Sequence, residues 1–162
     1  METAVSVLDV AAYILGKFQG MGKPVTAMKL QKLVYYSQAW SLVWDETPLF
    51  SERIFAWANG PVVPALYEKH RGEFHLTCIS GGNSERLSTN QQDTVDQVLE
   101  TYGDRTAQWL SDLSHLELPW KQARGNLSDG ERGEQEISLA SMEEYYAGLM
   151  PDDGLDSVAT TV

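Results

Sequence analysis

Residues 28–44 are apolar on almost every side of a 3.6-residue period. Leu33, Val34, Tyr35, Tyr36, Ala39, Trp40, Leu42, Val43 and Trp44 are broken only by Ser37, Gln38 and Ser41. A water-soluble domain holds such a helix only by surrounding it. The pattern therefore predicts a buried central helix, capped by Thr26, with everything else packed round it. Other segments carry a single apolar stripe. Val7, Ala11, Ile14, Leu15 and Phe18 follow a Ser6/Asp9 capping box, and Gly20 and Gly22 end that helix. Ser88 with Gln91 begins another, carrying Val95, Val98, Leu99 and Tyr102 up to Gly103. Ala107, Trp109, Leu110 and Leu113 predict a helix to about His115, and Pro119-Trp120 opens a short helical turn. Ser141 with Glu144 predicts the cap of a last helix bearing Met142, Tyr145, Tyr146 and Leu149.

Between these stripes the pattern shortens. Residues 49–57 are aromatic and partly alternating, hence extended. Asn59-Gly60-Pro61 marks a turn, and Pro61 suits a first helical position ahead of Val62, Leu66 and Tyr67, with Gly72 closing that helix. Residues 74–79 alternate weakly and predict a short strand against residues 55–57. Residues 81–84 read as a flexible loop, and 125–136, glycine-rich and acidic, as a mobile one. The expected fold is mainly α: a compact single-domain helical fold around the buried central helix, with room for one short β-hairpin. It spans residues 5–150, and 151–162 form a flexible acidic tail.

Charge narrows the choice of partners. The net charge of −11 and pI near 4.6 repel phosphate backbones, so the chain is not expected to bind nucleic acid by itself. A basic partner surface suits it better. Cys78 is the single cysteine, which excludes an internal disulfide, and within the predicted strand it reads as an inert buried thiol. No run reaches membrane-spanning length and the start lacks a basic leader, so a cytoplasmic protein without membrane attachment is expected.

Candidate chemistry is sparse. His70, His75 and His115 are scattered outside any metal-ligand spacing, and no phosphate-cradling glycine loop is present. Ser114-His115-Leu116-Glu117 is the best catalytic suspicion, with His115 as base and Glu117 or Asp112 orienting it. The bland alternative makes His115 a helix-end residue, with Ser114 and Glu117 bonding local backbone. No catalytic residue, metal ligand or cofactor is assigned. Lys29 and Lys32 share one side of the central helix; they are either a contact for an acidic surface or solvated. Trp57 is either an interface anchor or a core brace.

Three segments in order carry a resemblance. Lys29-Leu30-Gln31-Lys32-Leu33-Val34-Tyr35-Tyr36 is similar to the opening motif of the Panacea antitoxin domain, the SocA-like family also known as phage-associated protein. Trp57-Ala58-Asn59-Gly60-Pro61-Val62, followed by Tyr67, resembles its second signature. Ser114-His115-Leu116-Glu117-Leu118-Pro119-Trp120 resembles its third, with Ser114 in place of the usual threonine. The resemblance implies a helical, non-enzymatic antitoxin that neutralises a cognate toxin by binding it. It also implies an adaptor role toward a Clp-type protease in at least one member. A phage or host protein-binding module without a toxin is the alternative, and self-association stays open. Lys29, Lys32, Trp57 and Asn59 are the expected contacts. Leu30, Leu33, Tyr36, Gly60, Pro61, Val62, Tyr67, His115, Pro119 and Trp120 are motif positions expected to serve structure.

Overall fold

The computed structural model describes residues 5–128 and 130–149; the predicted tail at 151–162 lies outside the described residues. The chain is mainly α, with two small sheets among the described residues. In order it runs α1 (Val7–Gly20), β1 (Val25–Thr26), α2 (Ala27–Trp44), β2 (Ile54–Trp57), β3 (Gly60–Val62) and α3 (Pro64–His70). It continues through β4 (His75–Leu76), α4 (Thr89–Tyr102), α5 (Ala107–Leu116), α6 (Leu118–Arg124), β5 (Glu136–Ile137) and α7 (Leu139–Leu149). No helix of the described residues is long and apolar enough to cross a membrane.

Helix α2 is the hub, as its all-round apolar pattern predicts. Every residue from 30 to 42 is buried, and α1, α3, α4, α5, α7 and β3 all pack on it. Thr26 caps it by accepting from the Lys29 N–H at 3.1 Å. Its buried polar side chains are spent on passing backbone, which removes the cost of leaving them unpaired. Gln38 accepts from the Leu49 N–H at 2.7 Å and donates to the Phe50 carbonyl at 2.8 Å. Ser41 donates to the Thr47 carbonyl and Ser37 to its own helix at Leu33. Aromatic rings fill the space between helices. Tyr36 stacks on Tyr102 of α4 with centroids 4.2 Å apart, and Tyr146 of α7 meets Tyr36 edge-on at 6.1 Å.

Several sequence expectations need correction. The strand at residues 75–76 pairs with β1 (Val25↔Leu76), not with residues 55–57, because Val25 and Leu76 bury together. β2 is flanked instead by β3 and β5. β5 arises from the end of the stretch read as a mobile loop, where Ile137 pairs with Ile54 and both are buried. Pro61 lies in β3; Pro64 takes the first position of α3, three residues later. Trp57 pairs with Gly60 across a two-residue turn, so the short hairpin is β2–β3 and not the pairing of residues 55–57 with 74–79. Ser138, not Ser141, accepts the N–H at the start of α7. The 81–84 segment is tied down: the Asn83 N–H donates to Asp9 at 2.8 Å, and Gly82 lies so close that an added Cβ would overlap the Leu8 carbonyl. Cys78 is exposed and outside any strand.

Candidate functional site

The β2–β3 hairpin is gripped from beneath by its own backbone. Arg124 Nη1 donates to the Ala56 carbonyl at 3.2 Å, and the Trp120 indole N–H to the Trp57 carbonyl at 2.9 Å. His115 Nε2 lies 2.9 Å from the Ala58 carbonyl; a carbonyl only accepts, so this nitrogen carries the proton. Ser111 Oγ donates to the Asn59 carbonyl at 2.8 Å, and Lys32 Nζ reaches the Pro61 carbonyl at 3.4 Å. Gln31 takes both groups of Val63, accepting its N–H at 2.9 Å and donating to its carbonyl at 3.3 Å. The spacing explains the convergence. Ser111 and His115 sit four apart on α5, Trp120 and Arg124 four apart on α6, so each pair shares a helix face.

Gly60 closes the arrangement. Its φ is +119°, and an added Cβ would sit 2.7 Å from Lys32 Cε and 3.1 Å from Ser114 Oγ. Only glycine lets the turn lie this low over the lysine. The carbonyls of Ala56, Trp57, Ala58, Asn59 and Pro61 are bonded from within, while Trp57 and Ala58 stay half-buried and Asn59 is exposed.

Residues 57–59 line a cleft of about 450 Å³. One wall is Met28 and Gln31 of α2, another is Trp57 to Asn59 with Val62, and a third is Tyr67 and His70 of α3. Gly130, Arg132, Gly133 and Glu134 form the fourth. Trp57 meets Tyr67 edge-on at 5.2 Å. At the floor, Gln31 Nε2 lies 2.9 Å from His70 Nε2. The amide can only donate there, so that imidazole nitrogen is bare, and burial lowers the His70 pKa and keeps the ring neutral. The fourth wall is fixed by Arg124, which also donates to the Ser128 carbonyl at 2.8 Å and the Glu131 carbonyl at 2.7 Å.

Two buried ionisable groups lie behind the cleft. Lys32 is fully buried, and desolvation lowers its pKa to about 8. Glu117 is 4% exposed; desolvation raises its pKa to about 7, against the pull of two hydrogen bonds. Those bonds come from Tyr36 at 2.8 Å and Tyr146 at 2.7 Å, and Tyr35 in turn donates to Tyr146 at 3.0 Å. Among the described residues the ion pairs are Lys17–Asp96, Lys23–Asp104, Arg53–Glu136 and Arg71–Glu68, all at the surface, so neither buried group has an opposite charge beside it.

The structure sorts the sequence-derived candidates. Trp57, Asn59, Val62 and Tyr67 line the cleft. Lys32 does not reach the surface and so is no contact residue; its apolar neighbours on α2 carry it inward. Lys29 is half-buried, with its ammonium 5.0 Å from the centre of the Phe18 ring. Leu30, Leu33 and Tyr36 are core, and Pro119 and Trp120 are buried in α6. Ser114, His115 and Glu117 are not joined into a reactive group: Ser114 donates to the Ser111 carbonyl, His115 to Ala58, and Glu117 serves the tyrosines. Glu117 therefore does not bond local backbone as the bland alternative held. Sequence reasoning passed over Ser111 and Arg124, weighed His70 only as a metal ligand, and took Gln31 only as part of its motif. The i, i+4 spacing of Ser111 with His115 and of Trp120 with Arg124 was the available signal.

Comparison with known proteins gives one match. The family model described as "Antitoxin SocA-like, Panacea domain" matches residues 30–121, more than half of the chain. No curated protein and no solved structure matches. The matched span contains Leu30 to Tyr36, Trp57 to Tyr67 and Ser114 to Trp120, while Lys29 and Arg124 fall outside it.

Proposed function

The chain belongs to the SocA-like Panacea antitoxin family, and from that premise we propose that it neutralises a cognate toxin by direct protein–protein binding at the cleft beside the hairpin. One observation carries the reading. Side chains from α2, α5 and α6 hold the backbone of residues 56–63, which fixes the turn before any partner arrives. Such preorganisation lowers the ordering cost of association. Trp57 and Asn59, beside a cleft with an aromatic wall, have the composition of an interface anchor. The lysine contact expected from the sequence shrinks to Lys29, since Lys32 is interior.

Co-expression with the product of the adjacent gene tests the proposal. That product should arrest growth alone and be harmless beside the wild-type chain. Trp57→Ala with Asn59→Ala should lose protection while melting within a few degrees of wild type. A neighbour that is harmless alone, or still toxic beside the chain, refutes the antitoxin reading. Toxin abundance separates two modes of action: occlusion leaves it unchanged, whereas delivery to a Clp-type protease lowers it.

A further inference from the structure

We propose that the cleft receives one large apolar side chain, aromatic or methionine, projecting from a basic segment of a partner protein. This rests on the reading of the chain as a protein-binding domain and names the chemistry it binds. The floor decides what is refused. Gln31 and His70 are polar, yet three of their four polar side-chain atoms are engaged: the Gln31 oxygen on the Val63 N–H, its nitrogen on the Val63 carbonyl and His70 Nε2. The neutral imidazole keeps its one proton on Nδ1, so no cation stands at the bottom for a carboxylate or a phosphate. An ionic ligand entering there would lose its hydration without a countercharge.

The walls decide what is accepted. Trp57, Tyr67, Met28 and Val62 give apolar contact on several sides, and the volume of about 450 Å³ admits a ring with its own backbone attached. The rim decides the flanks. Glu134 stands at the mouth on a segment, residues 131–136, that carries three glutamates against the single cation Arg132. The whole chain carries −11. Lysine or arginine beside the anchor complements that field and speeds encounter.

Selection of displayed random peptides on the immobilised full chain tests this without any toxin. Enriched peptides are expected to share a Phe, Trp or Met flanked by Lys or Arg. Ala58→Trp fills the cleft while sparing the Ala58 carbonyl held by His115, and should weaken those peptides at least tenfold, roughly the effect of removing an anchor. Glu134→Lys should weaken them several-fold and flatten their salt dependence. Titration of the wild-type chain with millimolar indole is the second measurement. It should shift the Trp57 indole and Tyr67 ring resonances saturably, whereas acetate and phosphate should leave them in place. The proposal is overturned if acidic or wholly polar peptides win, or if binding persists in a folded Ala58→Trp. Indole that perturbs only other surfaces overturns it too, even if Ala58→Trp fails to fold. Peptides that behave as expected beside a harmless gene neighbour would sink the toxin and leave the cleft chemistry standing.

Discussion

Replacing Lys32 by methionine should stabilise this protein at neutral pH. The lysine pKa falls from 10.5 to about 8 on folding, with desolvation as its cause. That shift of about 2.5 pH units corresponds to a charge-burial cost on the order of 3 kcal/mol. Methionine removes the cost with a similar, unbranched shape, but it leaves the Pro61 carbonyl without its 3.4 Å donor. Such a buried, unpaired acceptor costs about 1 kcal/mol, so the net gain at pH 7 is about 2 kcal/mol. The sign follows the protons. Below pH 8 both folded and unfolded states hold the Lys32 proton, and the cost is present in full. Between pH 8 and 10.5 the unfolded state alone holds it, so wild-type stability rises with pH and the advantage of the variant fades. The curves should cross at about pH 10, where the remaining charge cost equals the lost hydrogen bond. Urea unfolding of both proteins from pH 6 to 10.5, compared as a difference, reads this directly. A variant less stable than wild type at pH 7, or a difference that does not change with pH, would refute the reasoning. It would mean that Lys32 keeps an ordinary pKa in the fold, its charge solvated or otherwise compensated.

Glu117 should show the mirror image: its raised pKa makes wild type lose stability as pH climbs from 4.5 to about 7, so Glu117→Gln should remove that limb and gain about 2 kcal/mol at pH 8, read by the same titration. Gly60→Ala should cost about 2 kcal/mol or more, from a φ of +119° and the 2.7 Å approach to Lys32 Cε, and a double-mutant cycle in thermal melts should show part of that cost relieved by Lys32→Ala, which removes Cε. Arg124→Met frees the carbonyls of Ala56, Ser128 and Glu131, and hydrogen exchange should quicken selectively across residues 126–135. Trp40→Ala removes a ring 4% exposed, together with its donation to Tyr102, and should lower urea-unfolding stability by about 3–5 kcal/mol.

The elements legible from sequence were those whose information is local. The Ser6/Asp9 and Ser88/Gln91 boxes form as read, and the α2 pattern correctly implied burial on all sides. What failed was pairing between distant short strands. β1, β4 and β5 are two residues each, too short to carry an alternation, and their partners are chosen by which apolar residues the helices bring together. Pro61 misled because Pro64 follows closely and both positions tolerate a missing N–H. Lys32 misled for a physical reason: a single cation on an otherwise apolar helix follows its neighbours inward when a carbonyl lies in reach. The cleft itself was half legible. Trp57 and Asn59 stood out as residues, but the wall from 130–134 depends on Arg124, whose three carbonyl partners no spacing rule reveals.

The inward carbonyls of the hairpin separate what fixes its shape from what it displays. Replacing the side chain at 57, 58 or 59 leaves every one of those bonds intact, because each is made by main-chain oxygen. The surface shown at these three positions can therefore change by substitution without the scaffold having to be re-solved, as antigen-binding loops vary on a constant framework.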